Sequence, residues 1–356
     1  MIAVEEQLRP GTGLRMIASA VDTYKRVFIE GKAAQLLSRP QPVRHTGYDF
    51  ELAIMGIEAE ADDVVSLTLC DPGGADLPAW TPGAHIDVFL PSGRQRQYSL
   101  NSDPDDRSCY RIAVRYIADG DGGSREIHER LRVGDRLRVG GPRNAFPLIN
   151  APEYFFVAGG VGITVILPMV TAAERAGIPW RLMYFGRSRV RMPFLYELAH
   201  LTGGDVVVRP DDEFGVPDPR MIFEQTPTGA AVYVCGPSGL AEAARKVLLL
   251  HDPTASLHTE RFSAAPVSDG TPFRIRLCRS GTEVDVAADE SALSAIRRAV
   301  PNVAYSCQQG FCGTCRASVL AGEVEHRDRA LLPSERANAM LTCVSRSRGG
   351  ELELDL

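Results

Sequence analysis

The sequence predicts three folded domains: an antiparallel β-barrel, then an α/β domain with a parallel sheet, then a small α+β domain. Residues 46–148 hold short stretches of alternating apolar and polar residues, separated by glycine or proline, as in antiparallel barrels. In residues 151–262, apolar runs alternate with helix-length segments, which is typical of βαβ units. Residues 272–356 combine a hairpin that turns at Ser280-Gly281, a short helix and a final strand, ELELDL.

Composition and charge exclude some classes of partner. The chain has 356 residues, is 44% hydrophobic and carries a net charge of −6, so it has no general attraction to nucleic acid or to anionic membranes. The stretch 154–170, which lies within the longest uncharged run of the chain, approaches the length of a membrane span. Its glycines and proline instead predict a buried strand, a glycine turn and a helix. The N-terminus lacks the apolar segment of a secretory signal, so we expect a cytoplasmic protein without stable membrane insertion.

Residues 1–45 form an N-terminal extension. Ile17, Val21, Tyr24 and Phe28 recur at helical spacing, and Gly31 interrupts the pattern. Three roles are open for the predicted helix: it packs on the body of the protein, it binds a partner, or it lies on a membrane surface. We favour the first. The segment matches no functional pattern.

Three cysteines are crowded into the stretch SCQQGFCGTC, 306–315, and a fourth lies further along the chain. The spacing C-x4-C-x2-C with one remote cysteine is that of plant-type [2Fe–2S] sites. Structural zinc usually pairs C-x-x-C with a second such pair or with two histidines, which are missing here. Gly310 and Gly313 let backbone amides turn toward the sulfurs. The predicted cluster ligands are Cys307, Cys312, Cys315 and Cys343.

The other cysteines predict no disulfide framework, since such frameworks are rare in cytosolic proteins of this size. Cys70, Cys109 and Cys278 lie in or beside strand-like segments, and we expect them to be small buried hydrophobic residues. Cys235 differs because it stands in the segment VYVCGPSGL.

Two glycine turns predict sites for phosphate groups. In the first, the strand segment RQYS (96–99) is followed by AVRY (113–116) and by DGGS (121–124), which leads into a helix. In the second, AGGVGIT (158–164) joins a strand to a helix and suits the close approach of a pyrophosphate, although it is not a full G-x-G-x-x-G. The segments FGRSR (185–189) and VYVCGPSGL (232–240) follow later strands of the same domain.

These segments together resemble a known family. RQYS with the G-G-S turn resembles the flavin-binding barrel of the ferredoxin–NADP reductase superfamily, and the strand followed by Cys-Gly-Pro resembles its nicotinamide-binding end. The cysteine loop is similar to that of plant-type ferredoxins, which have a β-grasp fold. The order of the three domains, with GPRNAFPL (141–148) and HTERF (258–262) between them, resembles the phthalate dioxygenase reductase family. It implies a flavin domain at 46–148, an NAD(P) domain at 151–262 and a ferredoxin domain at 272–356.

The resemblance also implies roles for single residues. Tyr98 would pack on the flavin ring, Arg96 would meet the flavin phosphate, and Ser99 would hydrogen-bond near the reactive N5. Ser99 and Cys235 would be the catalytic residues, at the place of hydride transfer. The implied flavin-binding residues are Arg96, Gln97, Tyr98, Ser99, Val114, Arg115, Gly122, Gly123, Ser124 and Thr164. The implied nucleotide-binding residues are Gly160, Gly162, Arg187, Ser188, Cys235, Gly236 and Pro237.

The cofactor choice also follows from the resemblance, which favours FMN over FAD and NADH over NADPH. The residues themselves leave NADPH open, because Arg187 and Arg189 flank Ser188 where a 2′-phosphate would sit. The sequence departs from the family pattern at Asp121, an acid beside a predicted phosphate site that Arg115 or Arg125 would have to offset.

Electron counting predicts the order of the redox groups. A nicotinamide gives two electrons as a hydride and a [2Fe–2S] cluster takes one, so a flavin must connect them. The final acceptor is not in this chain, and here the family resemblance implies the function: the reductase component of a multicomponent oxygenase, namely a Rieske-type dioxygenase, a monooxygenase or an O-demethylase, with the terminal oxygenase as its partner. The alternatives are a reductase for a cytochrome P450 or another redox partner and, from a different class, a redox-sensing iron–sulfur protein. The last would leave the flavin motifs unexplained.

Overall fold

A computed structural model of the protein describes residues 48–120, 122–252, 254–262, 267–300, 303–305, 308–310 and 313–356. The predicted N-terminal extension, residues 1–45, lies outside these residues, as do Asp121, Cys307 and Cys312. Residues 48–356 form one continuous unit that contains three main sheets.

The first sheet is an antiparallel barrel, as the alternating pattern predicts. Its strand order is β4-β3-β6-β1-β2-β5, and an isolated bridge between Leu100 and Ile112 joins the two edges. Alternate residues such as Leu52, Ile54 and Ile86 are fully buried and fill the interior. The elements are β1 (Tyr48–Ala61), β2 (Val64–Cys70), β3 (Ala84–Phe89), β4 (Gln95–Ser99), β5 (Cys109–Arg115), α1 (Gly123–Arg130) and β6 (Arg136–Asn144).

The second sheet is parallel, in the order β11-β10-β7-β8-β9, as the alternation of strands and helices predicts. Its strands are β7 (Tyr154–Gly159), β8 (Trp180–Gly186), β9 (Asp205–Pro210), β10 (Ala231–Cys235) and β11 (Ser256–Glu260). Its helices are α2 (Ile163–Ala176), α3 (Leu195–Leu198), α4 (Asp211–Phe214), α5 (Pro219–Phe223) and α6 (Ser238–His251). After β7 the chain forms β8 and β9 on one side of this strand, and it later forms β10 and β11 on the other side. The crevice at the carboxyl ends of β7 and β10 is therefore the switch point where such sheets bind ligands.

The long uncharged stretch is confirmed as a strand, a turn and a helix. It contains β7, a short 3₁₀ turn at Gly160–Gly162 and the start of α2. Helix α2 ends at Gly177, which has a φ of 63° and donates its backbone N–H to carbonyl groups of the last turn. In the described part of the chain, every helix is too short or too polar to cross a membrane.

The third sheet is mixed, in the order β13-β12-β18-β14-β16, with β12 and β18 parallel and the other neighbours antiparallel. The predicted hairpin is confirmed, since Gly281 turns with a φ of 65° between β12 and β13. Ser291 is the N-cap of helix α7, and its side chain accepts a hydrogen bond from the backbone N–H of Ser294. The elements are β12 (Phe273–Leu277), β13 (Thr282–Val286), α7 (Ala292–Ala299), β14 (Arg316–Ala321), β15 (Val324–Glu325), β16 (Ala339–Leu341), β17 (Arg346–Ser347) and β18 (Glu351–Leu354).

A buried arginine holds this small domain together. The Arg346 side chain is 1% exposed, and its guanidinium donates to the carbonyl oxygens of Thr271 at 3.0 Å and Ala287 at 2.9 Å, and also to that of Glu290. It also lies over the ring of Phe273. Three carbonyl acceptors from two loops meet one cation, which compensates for part of its desolvation.

The expectation for three of the scattered cysteines is wrong. Cys70 and Cys109 are opposite each other in the β2–β5 register and form a disulfide. The sequence pattern placed each of them in a strand but could not say which strands would be neighbours. Cys278 is exposed, because it lies in the hairpin turn after β12 rather than in the core.

Candidate functional site

Strand β4 carries the RQYS segment and presents it at the surface of the barrel. Ser99 is buried, whereas Arg96, Gln97 and Tyr98 are half-buried. Tyr98 packs against the barrel core and stays half-buried. Its neighbour in the β3 register is Ile86, and Ser99 is paired with His85. Burial, and then the charge of Arg143, lower the pKa of His85 to about 4, so this imidazole is neutral beside Ser99 at pH 7.

The first glycine turn lies directly against this strand. A Cβ on Gly123 would be 2.3 Å from Nε of Arg96, so only glycine lets the guanidinium approach the turn this closely. Gly122 has a φ of 88°, which favours glycine, and α1 begins immediately after it. The Ser124 hydroxyl accepts a hydrogen bond from Ile117 N at 3.1 Å. A cation, a helix N-terminus and a glycine turn thus lie together, an arrangement suited to binding an anion.

Sequence reasoning missed a second arginine at this turn. Nη2 of Arg94 would lie 3.6 Å from a Cβ on Gly122, and its Nη1 is 3.5 Å from a carboxylate oxygen of Glu126. Of the two cations expected to offset Asp121, Arg125 donates to the Ala118 carbonyl at 2.6 Å. Arg115 instead points toward the second turn, with Nη1 3.8 Å from a Cβ on Gly160. Arg94 precedes Arg96 by two positions, and this spacing on one face of a strand is the signal that could have revealed it.

The second glycine turn packs on the segment after β10. A Cβ on Gly162 would lie 2.3 Å from the carbonyl oxygen of Cys235, and a Cβ on Gly236 would lie 3.1 Å from Cα of Gly159. These two backbones touch without side chains between them, which shapes the floor of the switch-point crevice. Thr164 and Val114 are buried, and the Thr164 hydroxyl donates to the Val161 carbonyl at 2.9 Å, so it stabilises its own turn.

Beyond β8, the predicted adenosine-side residues follow the strand end. Arg187 is exposed and Ser188 half-buried. Arg189 donates two hydrogen bonds to Glu213, at 3.0 and 2.9 Å, which is the bidentate geometry of an arginine–carboxylate pair. Arg189 therefore already has an anionic partner from this chain.

Cys235, which is fully buried, and Glu260, which is half-buried, are neighbours at the crevice, and sequence reasoning missed the second member. They are direct neighbours in the parallel β10–β11 register. Burial, and then the Glu260 carboxyl, raise the pKa of the Cys235 thiol well above its ordinary value. Oε2 of Glu260 is buried and makes no hydrogen bond to any residue that the structure describes. Burial raises the pKa of Glu260 to about 8, so both groups are protonated and neutral at pH 7.

Glu260 predicts a pH dependence of stability. Between its ordinary value of 4.5 and about 8, the folded chain keeps a proton that the unfolded chain releases, so the free energy of unfolding falls as pH rises through this window. Glu260→Gln should remove this loss. We therefore expect the free energy of unfolding of the variant, measured relative to that of the parent, to be higher at pH 8 than at pH 5. Urea midpoints at the two pH values measure it, with the exposed Glu224→Gln as control. If the urea midpoints of Glu260→Gln and the parent differ by the same amount at both pH values, the raised pKa assigned to Glu260 is wrong.

The two described cluster cysteines are brought together in the third domain. Cys315 is 4% and Cys343 2% exposed, and both belong to one apolar cluster with Tyr305, Leu331 and Leu341. The N–H and hydroxyl of Thr342 both donate to the Cys315 carbonyl, at 3.2 and 3.1 Å, which ties the two cysteine segments together.

The glycines of the cysteine loop fit the predicted purpose of shaping it. Gly310 and Gly313 both have a φ of 78°, and a Cβ on Gly310 would lie 2.6 Å from the Val344 side chain. The loop therefore passes close to the residue after Cys343. Two buried thiols next to a glycine-shaped loop fit the ligand set of a cluster.

Comparison with known proteins agrees with this arrangement. Residues 275–348 match the 2Fe-2S iron-sulfur cluster binding domain. The chain is 37% identical over 312 residues to phthalate dioxygenase reductase of Burkholderia cepacia, covering 86% of this chain and 97% of that protein. This chain belongs to the phthalate dioxygenase reductase family.

Other members of the phthalate dioxygenase reductase family give the same result. A putative toluene-4-sulfonate monooxygenase system reductase subunit from Comamonas testosteroni is 40% identical over 317 residues, covering 86% of this chain and 99% of that subunit. A solved phthalate dioxygenase reductase, described as a modular structure for electron transfer from pyridine nucleotides to [2Fe–2S], has a TM-score of 0.67 and 36% identity. It covers 87% of this chain and 98% of that one.

These findings confirm several expectations made from the sequence. The three-part fold, the [2Fe–2S] ferredoxin domain and the classification as an electron-transfer oxidoreductase of oxygenase systems are shown by the family. The chain is therefore a flavin- and pyridine-nucleotide-dependent reductase of this family.

Proposed function

We propose that this chain takes a hydride from NADH onto FMN and passes the electrons singly through its [2Fe–2S] cluster to the terminal oxygenase of a multicomponent oxygenase. One observation carries the proposal: the three motif regions are in mutual contact. Arg115 at the end of β5 lies beside the Gly160 turn, the Tyr305 hydroxyl meets Arg96, and Gln309 of the cysteine loop donates to the Arg261 carbonyl at 2.7 Å. Electron transfer between sites requires such proximity.

The proposed flavin site is built on β4 and the G-G-S turn. Arg96 and the amides of the turn would hold the phosphate, with Arg94 as a further cation, while Tyr98 packs on the ring and Ser99 hydrogen-bonds near N5. A site with one phosphate cradle favours FMN, and family membership supports the same choice. The remaining proposed contacts are Gln97, Val114, Arg115 and Thr164. When bound, a flavin accepts both electrons of a hydride and releases them one at a time.

The proposed nucleotide site lies at the switch-point crevice, with the pyrophosphate on the amides of Gly160 and Gly162. Cys235 would lie near the nicotinamide ring, held by the adjoining Gly236 and Pro237. Because burial keeps its thiol protonated, Cys235 would act as a neutral neighbour of the ring and not as a nucleophile. Glu260 adds a second neutral, protonated group beside it.

The choice of NADH over NADPH rests on Arg189. A 2′-phosphate bound by both Arg187 and Arg189 would have to displace Glu213, which accepts two hydrogen bonds from Arg189. NADH places no such demand on the site. We propose a cytoplasmic location, where NADH is available as an electron donor.

The proposed domain boundaries follow the three sheets: a flavin domain at 46–148, a nucleotide domain at 151–262 and a ferredoxin domain at 272–356. The proposed cluster ligands are Cys307, Cys312, Cys315 and Cys343. Cys315 and Cys343 support this set because both are buried in one cluster, as ligands of a shielded centre should be.

An anaerobic titration of the purified protein tests the proposed function. We expect visible absorption from flavin and from a [2Fe–2S] cluster, and NADH should bleach both at least about ten times faster than NADPH at equal concentration. Supplying an excess of oxidised terminal oxygenase, still without O₂, should then restore the oxidised spectrum, because its metal centres accept the electrons. A colourless protein that contains zinc would refute the proposal, and faster bleaching by NADPH would overturn the choice of nucleotide.

A further inference from the structure

Tyr305 connects the ferredoxin domain to the strand that carries the flavin motif. It is 7% exposed and lies two positions before the predicted ligand Cys307. Its hydroxyl accepts a hydrogen bond from Nη1 of Arg96 at 2.8 Å and donates one to the carbonyl oxygen of Gln95, also at 2.8 Å. The phenol thus satisfies both of its hydrogen-bonding capacities on another domain.

The ring of Tyr305 is anchored in its own domain. It belongs to the apolar cluster that includes Cys315 and Cys343, and the guanidinium of Arg297 lies 4.2 Å above its centroid. The ring is therefore fixed relative to the cluster cysteines, while its hydroxyl is fixed relative to β4.

Arg96 completes the connection on the barrel side. The same Nη1 that bonds Tyr305 also donates to the Gln95 carbonyl at 2.7 Å, and Nε lies against the Gly123 turn. One guanidinium therefore contacts the proposed phosphate site and the ferredoxin domain together. A group that is ordered by two partners loses less entropy when it binds a third.

We propose that Tyr305 is a positioning residue that couples occupancy of the flavin phosphate site to the placement of the ferredoxin domain, through Arg96. The inference rests on the proposed function, because it assigns the phosphate site to Arg96. Linkage makes the coupling reciprocal: a bound phosphate stabilises domain docking, and docking strengthens phosphate binding.

Tyr305→Phe is the variant that tests the coupling. It keeps the ring, and so the packing on Arg297 and the apolar cluster, but removes both hydroxyl bonds. Tyr196→Phe is the matched control, because Tyr196 is 79% exposed on helix α3. Two readouts need no turnover: the dissociation constant of FMN for the apoprotein, and amide hydrogen exchange of residues 95–99. A third, stopped-flow absorbance with NADH, separates reduction of the flavin from reduction of the cluster.

We expect Tyr305→Phe to raise the FMN dissociation constant and to slow flavin-to-cluster transfer, each by about tenfold, as for loss of a hydrogen bond to a charged group. It should also raise exchange in 95–99 while flavin reduction by NADH stays within about twofold of the parent. In an Arg96→Ala background the same substitution should have a smaller effect on FMN affinity, because the shared partner is gone.

The outcomes separate the two proposals. Unchanged FMN affinity and unchanged exchange in Tyr305→Phe would overturn the inference, whatever the turnover. If NADH fails to reduce the flavin of the parent protein, the proposed function fails, and the inference is still decided by FMN binding and exchange.

Discussion

Cys343→Ser should lower the rate of NADH-dependent cytochrome c reduction to roughly a hundredth of the parent value or less, because it removes one of four thiolates from the cluster. Cys343 is 2% exposed and lies in one apolar cluster with Cys315. Among the described residues of that cluster there is no further cysteine, so no other thiolate can take the place of the lost ligand. In the proposed assignment, hydride transfer to the flavin takes place in the other two domains. Ferricyanide reduction, which the flavin can supply directly, should therefore stay within about twofold.

The control for this prediction is in the same domain. Cys278 is exposed in the turn after β12 and has no place in the proposed ligand set. Cys278→Ser should keep the iron and sulfide content, the visible spectrum and cytochrome c reduction of the parent. If Cys343→Ser retains a full [2Fe–2S] spectrum and normal cytochrome c reduction, the ligand set is wrong and the cluster domain is not the exit for electrons.

Gly162→Ala should lower kcat/KM for NADH by about a hundredfold, the cost of displacing a reacting group by about an ångström. The new Cβ would lie 2.3 Å from the carbonyl oxygen and 2.7 Å from the carbonyl carbon of Cys235. Both are backbone atoms, so the clash is relieved only if the turn or the Cys-Gly-Pro segment moves. Gly162 has a φ of −59°, which alanine adopts readily, so the effect is one of space and not of backbone strain.

Gly239→Ala is the matched control. Gly239 lies in helix α6, shortly after Cys235 in the sequence, but nothing lies within 4 Å of a Cβ placed there. It should therefore keep the parent kcat/KM. In Gly162→Ala, dithionite should still reduce flavin and cluster, since only the nucleotide crevice has changed. A Gly162→Ala variant with the parent kcat/KM would show that the nicotinamide does not use this crevice.

The sequence predicted those features that depend on local order along the chain. Alternation of apolar residues predicts the barrel strands, longer apolar runs predict the parallel sheet, and the cysteine spacing predicts the cluster domain. Each of these signals lies within a few neighbouring residues, so it can be read without knowing the neighbours in space. The same holds for the hairpin turn at Gly281, where the local backbone requires a positive φ.

What sequence reasoning missed depends on pairings between distant segments. The Cys70–Cys109 bond depends on β2 and β5 being adjacent, and the raised pKa of Glu260 depends on β11 lying beside β10. Arg94 lies just before β4, outside the RQYS segment; its spacing from Arg96 hints at a shared face, and its closeness to Gly122 shows its place at the turn.

By itself, the sequence determined the three domains, their order and the chemical type of each site, because these depend on residue types at short fixed spacings. Only the tertiary structure decided how the sites meet: Arg115 against the Gly160 turn, and Tyr305 on Arg96 across more than two hundred residues of chain. The physical reason is that hydrogen bonds and steric contacts act over a few ångströms, and separation along the chain does not specify separation in space.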